Sequence, residues 1–589
     1  MACGALMHAA PVLAQQADQG GELPSGARPG AIQPDRDDRR REPPEPQGPV
    51  LEIPPKIDRP LDPQEGQRIE VQAFELVDAR DRPENDIRVE DLERILAKAR
   101  EEKAKGFTVG ELEAVANRLT NYYRERGLIL AQAVVPVQTI EQGVVKIRVI
   151  EGRLGAVRPQ GNQYYTDETI EQAFDGLIGK PVSQSATESA LLALNEYPGL
   201  VAFGVFKPGK QTGEADVSLQ VQNEDRFEGS ISVDNHGTRQ TGRGRARARV
   251  QWNNPTGNAD RLTLSGLAFF QPENSLFGSL EYERLFGRHY RARGFIRSNR
   301  FDVGGDFERF DISGETDQVG FELTRQWIRS RDLNWSTGVG LTAKRSRTLR
   351  SDEQDNEDRL TVLTLKTRFD SVDSRFGGLN FAGLEINQGI EDVLGAMGDS
   401  ESAADQPPGD RPSRRAANGF AAGEFTRLFG YYSRLQNIVE GQSLLLRTEL
   451  QYSDDVLVPL EQYAIGGPNS VRAFPKSHAL VDSGLLVSAE YVIEAPWLEG
   501  DGPFGHSWRD MLRASVFYDY AMGELNEPRA SEPDGTVDFH GAGFGVRFDI
   551  PGTLESRLQI AWEIDGDDEL ADPDAVRSPQ IWAEVAYNF

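Results

Sequence analysis

Side chains able to do chemistry are sparse and scattered in this sequence. The six histidines, His8, His236, His289, His478, His506 and His540, show no metal-ligand spacing, and no nucleophile–base arrangement can be read. The single cysteine, Cys3, stands at the extreme N-terminus, so the rest of the chain has no disulfide, thiolate nucleophile or thiolate metal site. Gly541, Gly543 and Gly545 imitate part of a phosphate-binding loop, but they alternate inside a strand pattern and precede no helix. They make room on a crowded wall instead. No cofactor, metal or catalytic constellation is expected. One stretch is unusual: "IGGPNSVRAF", Ile465 to Phe474. Gly466, Gly467, a proline and an asparagine announce a loop, yet it ends in a lone arginine among apolar residues, Val471-Arg472-Ala473-Phe474. A loop free to be merely polar has no need of such an ending.

The elements around that loop have to account for it. At 589 residues the chain is long enough for two to four units. A formal charge of −28 repels phosphate and argues against nucleic acid as partner. No apolar run approaches the ~20 residues of a membrane helix. A β-barrel stays open, because it hides apolar residues by alternating them with polar ones. Residues 1–14 are small and apolar, and Val12-Leu13-Ala14 before Gln15 resembles the end of a secretory signal without its basic region. The alternative is a short apolar tail of no importance. Residues 15–68 hold eleven prolines and are expected to be an extended, flexible linker that buries almost nothing.

At Ile69 the character changes. "IEVQAFEL" alternates like a strand, "VEDLERILAKAREEKA" places Leu92, Ile95, Leu96 and Ala99 at helical spacing, and a second helix follows Thr108. Thr108 is a plausible N-cap with Glu111 three residues on, and Gly127 sits past the end. The strands "LILAQAVVP" and "GVVKIRVIEGRL" complete a unit over residues 69–153. Residues 154–224 repeat the scheme with helices in "TDETIEQAFDGL" and "SQSATESALLALNEY" and closing strands "VAFGVFKPG" and "EADVSLQVQ". The chain carries two small α+β modules in tandem.

Residues 225–589 read as sixteen strands without helices. Leu554, Leu558, Ile560, Trp562 and Ile564 oppose Glu555, Arg557, Gln559, Glu563 and Asp565. Phe544, Val546, Phe548 and Ile550 oppose Gly543, Gly545, Arg547 and Asp549, and Leu444, Leu446, Leu450 and Tyr452 oppose Arg447, Glu449 and Gln451. Charges of both signs on the polar face, and short links such as "NNPTGNAD" alternating with long tracts, suit a transmembrane barrel of antiparallel strands. Roughly 365 residues give about 23 per strand and connection, enough for ~9–11 crossing residues each. The final strand places Ile581, Ala583, Val585, Tyr587 and Phe589 on one face and ends on an aromatic residue.

The modules, the barrel and the arginine loop together resemble the transporters of two-partner secretion, the haemolysin and filamentous-haemagglutinin export family of the POTRA-barrel insertase superfamily. The resemblance covers roughly residues 69–589. It rests on Tyr123, Gly127, Pro136, Gln138, Gly143, Glu151 and Gly152 in the first POTRA-like module. It rests also on Leu194, Pro198, Gly199, Pro208 and Gly209 in the second, and on Asn235, Gly237, Gly242, Asn254 and Asp260 where the barrel opens. The loop motif is similar to the family's Val-Arg-Gly-Phe/Tyr at the tip of an extracellular loop folded into the lumen. The family's arginine pairs with an aspartate on the inner wall, which the resemblance places at Asp519 in "RASVFYDYA", with Phe517 on the same face. Ala473 departs from the family glycine. At a positive φ it would cost about 1 kcal/mol. Some relatives carry a plugging helix, and the proline-rich residues 15–68 offer no obvious one.

The resemblance implies an outer-membrane transporter with its modules in the periplasm. They would recognise a large exoprotein by its N-terminal secretion domain, and the barrel would pass it unfolded without nucleotide hydrolysis. Outer-membrane lipid is a further implied partner, as is the barrel assembly machinery, which would read Tyr587 and Phe589. An assembly insertase is the alternative. A passive porin ranks below it, and a surface enzyme ranks last.

Overall fold

A computed structural model describes residues 25–29, 51–52, 67–103, 106–270, 275–495, 497–498, 500–529, 535–567 and 578–589. The expected leader at 1–14 lies outside them.

The first module stacks helices Val89–Glu102 and Val109–Glu125 on a three-stranded sheet. Strand Ala73–Val77 pairs in parallel with Val144–Ile150, which pairs antiparallel with Gln132–Val134. Thr108 and Glu111 form the full capping box, satisfying two N–H groups that would otherwise be orphaned. Leu92, Leu96, Leu112, Val115 and Leu119 bury against Val145, Ile147 and Val149, each side chain contributing about 1.5–3 kcal/mol. Gly152, at φ +70°, breaks the run "GVVKIRVIEGRL", so Arg153 already opens a strand of the second module. That module packs helices Asp167–Glu171 and Gln184–Leu194 on strands Arg153–Gln160, Leu200–Pro208 and Glu214–Glu224.

Sixteen antiparallel strands then close on themselves. They are β1 Phe227–Asp234, β2 Gly244–Asn253, β3 Asp260–Phe270, β4 Leu276–Phe286, β5 Tyr290–Val303, β6 Ile312–Arg329, β7 Leu333–Arg350 and β8 Glu353–Asp373, followed by β9 Gly378–Gly389, β10 Phe425–Val439, β11 Gln442–Tyr452, β12 Ser483–Glu494, β13 Leu512–Glu524, β14 Thr536–Ile550, β15 Leu554–Asp567 and β16 Gln580–Asn588. Alternation decides the faces. Leu264, Val516 and Phe589 stand about 60 % exposed on the outside, whereas Glu449 and Asp519 inside are 2 % and 0 % exposed. A shift of register at His540/Gly541 interrupts this in β15: Asp565, expected on the polar face, lies opposite His540, and Gly566 lies opposite Phe539. The β16–β1 pair closes the cylinder, and Gly229 and Phe589 exchange both main-chain hydrogen bonds at 2.8 and 2.9 Å.

The second module sits against one mouth. Glu196 pairs with Arg291 at 3.1 Å and Arg329 at 2.5 Å, and Asn254 Nδ2 donates to the Tyr164 carbonyl at 3.0 Å. The longest connections, between β9 and β10 and between β11 and β12, gather at the other mouth.

Two described pieces of residues 15–68 correct the expectation that this segment buries almost nothing. Ala27 is fully buried among Phe301, Val303, Ile312 and Leu480 at the loop end of the barrel. Leu51–Glu52 adds a parallel strand to Leu200–Pro208, with Leu51 against Gly204. Proline denies a segment most ladder bonds, but two residues flanked by prolines still supply the few groups an edge requires.

Candidate functional site

The β11–β12 loop folds into the lumen as a hairpin, Tyr463–Ile465 paired with Ala479–Val481. Its turn needs both glycines. Gly466 and Gly467 adopt φ +98° and +106°, and a Cβ on Gly466 would stand 2.3 Å from the Pro475 oxygen. Beyond them Val471, Arg472, Ala473 and Phe474 are buried to 3 % exposure or less.

Arg472 grips the wall of β13. Its Nε and Nη2 donate to the two carboxylate oxygens of Asp519 at 2.8 Å each, and its backbone N–H adds a third bond at 3.1 Å. The third guanidinium nitrogen, Nη1, reaches Glu490 on β12 at 2.6 Å, and Ser488 Oγ accepts from Nη2 at 3.3 Å. The guanidinium carbon lies 3.3 Å over the Phe517 ring. Such a fork fixes both direction and rotation of the side chain. Burial alone would lower the Arg472 pKa; Asp519 and Glu490 more than offset it, and the net shift is upward. A buried pair of this kind does little for net stability against an apolar substitute, but breaking one side is costly, so it sets position.

The loop is packed as well as paired. The Phe474 ring packs at a tilt against Phe539, 4.5 Å between centroids, and against His478, 5.6 Å. Ala473 has no positive φ, so its backbone suits alanine and that cost does not arise. Its methyl group lies where Gly541 lacks one: a Cβ on Gly541 would come within 2.5 Å. Gly543 likewise admits Phe517, at 2.5 Å from its would-be Cβ.

Ser488, Glu490 and Trp582 were not anticipated. The first two alternate on the inward face of β12, which is the only trace of them in the sequence. Trp582 carries none.

In the first module Tyr123 is fully buried, and Glu151 takes Arg82 in a fork at 2.7 and 3.1 Å. Gln138 mimics a strand, exchanging hydrogen bonds with the Lys146 main chain at 2.8 and 2.9 Å, and it also bonds the Pro136 carbonyl at 3.2 Å. Gly127, Gly143 and Gly152 all have positive φ. At the seam Asn235 extends the β16–β1 ladder with its side chain, bonding Ile581 O and Ala583 N at 2.8 and 2.9 Å. Tyr587 and Phe589 stack on each other, 6.2 Å apart, on the outer face. Folding also brings Asp234, His236 and Glu584 within 4.8 Å, a proximity invisible in sequence spacing. Arg245 already holds Asp234 at 2.6 Å.

Residues 213–548 match the haemolysin secretion/activation protein family ShlB/FhaC/HecB, and residues 85–152 match the ShlB-type POTRA domain. The chain belongs to that family. It is therefore an outer-membrane transporter of two-partner secretion, with its POTRA modules in the periplasm. The heme/hemopexin transporter protein HuxB of Haemophilus influenzae (strain 86-028NP) is 24 % identical over 501 residues, 82 % of this chain and 81 % of that one. The outer membrane transporter CdiB of Escherichia coli is 32 % identical over 155 residues, 26 % of each chain. A solved structure of CdiB from Escherichia coli has the same fold, with a TM-score of 0.70 at 20 % identity over 100 % of both chains. In this family's terms, the arginine loop reaches into the lumen from the cell surface, and the second module sits at the periplasmic mouth.

Proposed function

We propose that the exoprotein carried by this transporter is a large secreted protein whose N-terminal secretion domain docks on the two POTRA modules. Sheet edges there add an extended segment of the cargo as a further strand. The chain then passes the lumen unfolded and folds outside. That folding, rather than nucleotide hydrolysis, biases the direction. The Arg472–Asp519 fork holds the folded-back loop in one conformation that the cargo has to displace or pass, with Val471, Ala473, Phe474 and Phe517 as its packing. Gly466 and Gly467 let the loop turn. Tyr587 and Phe589 are the signal read by the barrel assembly machinery.

The observation that carries the reading is the continuity of the modules with the pore. Glu196 of the second module reaches two arginines of the barrel rim, beside a lumen cavity of about 1070 Å³. The test is secretion of the cognate exoprotein from cells expressing variants at equal barrel abundance. Arg472→Ala or Asp519→Ala should each reduce the secreted product. Undiminished secretion by both counts against the lock, and undiminished secretion after removing residues 67–224 counts against recognition by the modules.

A further inference from the structure

Arg325 stands exposed on the lipid-facing side of β6, near the periplasmic end of the barrel, in register with Tyr290 of β5 and Thr337 of β7. Arg329, which closes the same strand, and Arg291, next to Tyr290, both pair with Glu196 of the second module. Those contacts fix the depth of Arg325 at the periplasmic edge of the apolar band. A charge on the lipid face is costly at the midplane and tolerated at the interface. Aromatic rings hold this one: its guanidinium carbon lies 3.8 Å from the centroid of Trp327 and 5.5 Å from that of Tyr290. No carboxylate among the described residues pairs with it.

Beside Arg325 the outer surface is grooved. In its row the short Thr337 and Thr367 stand between it and Leu384, and Leu323, Val339, Leu365 and Ile386 form the next row toward the midplane. The step from long to short side chains leaves a cavity of about 460 Å³, lined mainly by hydrocarbon and within the size range of small-molecule sites. The threonine hydroxyls are taken by the aromatic belt. Trp327 Nε1 donates to Thr337 Oγ1 at 2.8 Å and Trp335 Nε1 to Thr367 Oγ1 at 3.0 Å, with the two indoles stacked at 5.8 Å. The groove is apolar along its length and charged at its periplasmic end.

We propose that this groove binds an anionic glycerophospholipid of the periplasmic leaflet, with an acyl chain along the apolar row and the phosphate diester on Arg325. A guanidinium held by ring faces keeps its N–H donors for another acceptor, and its planar fork matches phosphate. At this depth lipid phosphates are the anions at hand, and the stacked indoles lie at the level of the headgroups. Charge complementarity favours a headgroup of net negative charge, because a zwitterionic one brings its own ammonium to compete for the phosphate. The inference is independent of cargo recognition: it needs the barrel in its membrane and nothing from the modules' partner.

The test is native mass spectrometry of the full-length protein in detergent, titrated with dioleoyl-phosphatidylglycerol. Dioleoylglycerol supplies the same chains without phosphate, and inorganic phosphate supplies the anion without chains. A formal charge of −28 gives the protein no general attraction for an anionic lipid. Phosphatidylglycerol should nonetheless fill a first site at least about tenfold more tightly than dioleoylglycerol, and inorganic phosphate at the same concentrations should not displace it. Arg325→Gln should weaken that first step about tenfold. Val339→Phe, which fills the groove and leaves the charge, should weaken it to a similar degree. Both side chains face lipid, so both variants should keep the heat-modifiable migration of a folded barrel. Should a variant lose it, the comparison of ligands on the wild type decides alone. Equal affinity for the two lipids, displacement by inorganic phosphate, or an unchanged first step in either folded variant overturns the proposal.

Discussion

The indole Nε1 of Trp582 donates a 2.8 Å hydrogen bond to the main-chain oxygen of Arg472, 110 residues earlier in the chain. Trp582 belongs to β16, which closes the barrel against β1, and the His236 ring just beyond β1 packs against the indole edge at 5.9 Å. The loop tip is thus tied to two places: to β12 and β13 by its side chain, and to the closing seam by its backbone.

Trp582→Phe keeps most of the packing and removes the donor. The Arg472 carbonyl is then left buried without that partner, at a cost of about 1–3 kcal/mol. The barrel should still assemble and show heat-modifiable migration, while the segment 466–478 becomes more susceptible to limited proteolysis. Unchanged proteolysis would mean the bond plays no part in holding the loop.

Arg472→Ala strands Asp519 in a buried site at about 3–5 kcal/mol, and Asp519→Ala costs less, because the guanidinium keeps Glu490 at 2.6 Å. The double variant should cost clearly less than the sum of the two, since neither charge remains. Unfolding midpoints of the four proteins in one detergent supply the cycle. Strict additivity would show that the two side chains do not act on each other.

Gly541→Ala places a methyl group 2.5 Å from that of Ala473. Overpacking of this kind costs about 1–3 kcal/mol. Ala473→Gly in the same chain should restore the thermal midpoint, because it removes the opposing methyl. A double variant no more stable than Gly541→Ala alone would place the strain elsewhere.

Asp482 lies at the base of the folded loop, fully buried, and accepts from the Asn526 N–H at 2.8 Å, the Gln462 amide at 3.0 Å and the Leu457 N–H at 3.2 Å. Burial pushes its carboxyl up from 3.8 to about 6, against these hydrogen bonds and the Arg414 charge. The folded loop thus binds a proton more tightly than the unfolded chain. Its base gains stability as pH falls from 7 through 6, and gains no more below about 4. Hydrogen-exchange protection of residues 455–462, corrected for intrinsic rates, should rise from pH 7.5 to pH 5.5. Asp482→Asn should flatten that dependence. Protection that falls with acidification would contradict it.

Much of the fold was legible in the sequence. Alternation with period two assigns each barrel residue to one of two faces, and the Thr108–Glu111 cap and Gly152 punctuate the first module. These are local effects of backbone geometry acting over a few residues. The bulge that turns Asp565 and the burial of Ala27 and Leu51 were not legible, because each depends on a partner supplied by another element.

By itself, the sequence determined that a polar inner face and an apolar outer face exist, that two α+β modules precede them, and that a loop offers one arginine among apolar neighbours. Only the tertiary structure decided which inward residues meet across the lumen. Glu490 and Trp582 joined Asp519 around Arg472. The reason is geometric. Strand periodicity fixes on which side of the sheet a side chain stands, whereas strand register and closure fix what stands opposite it, and those are set by pairings between segments far apart in the chain.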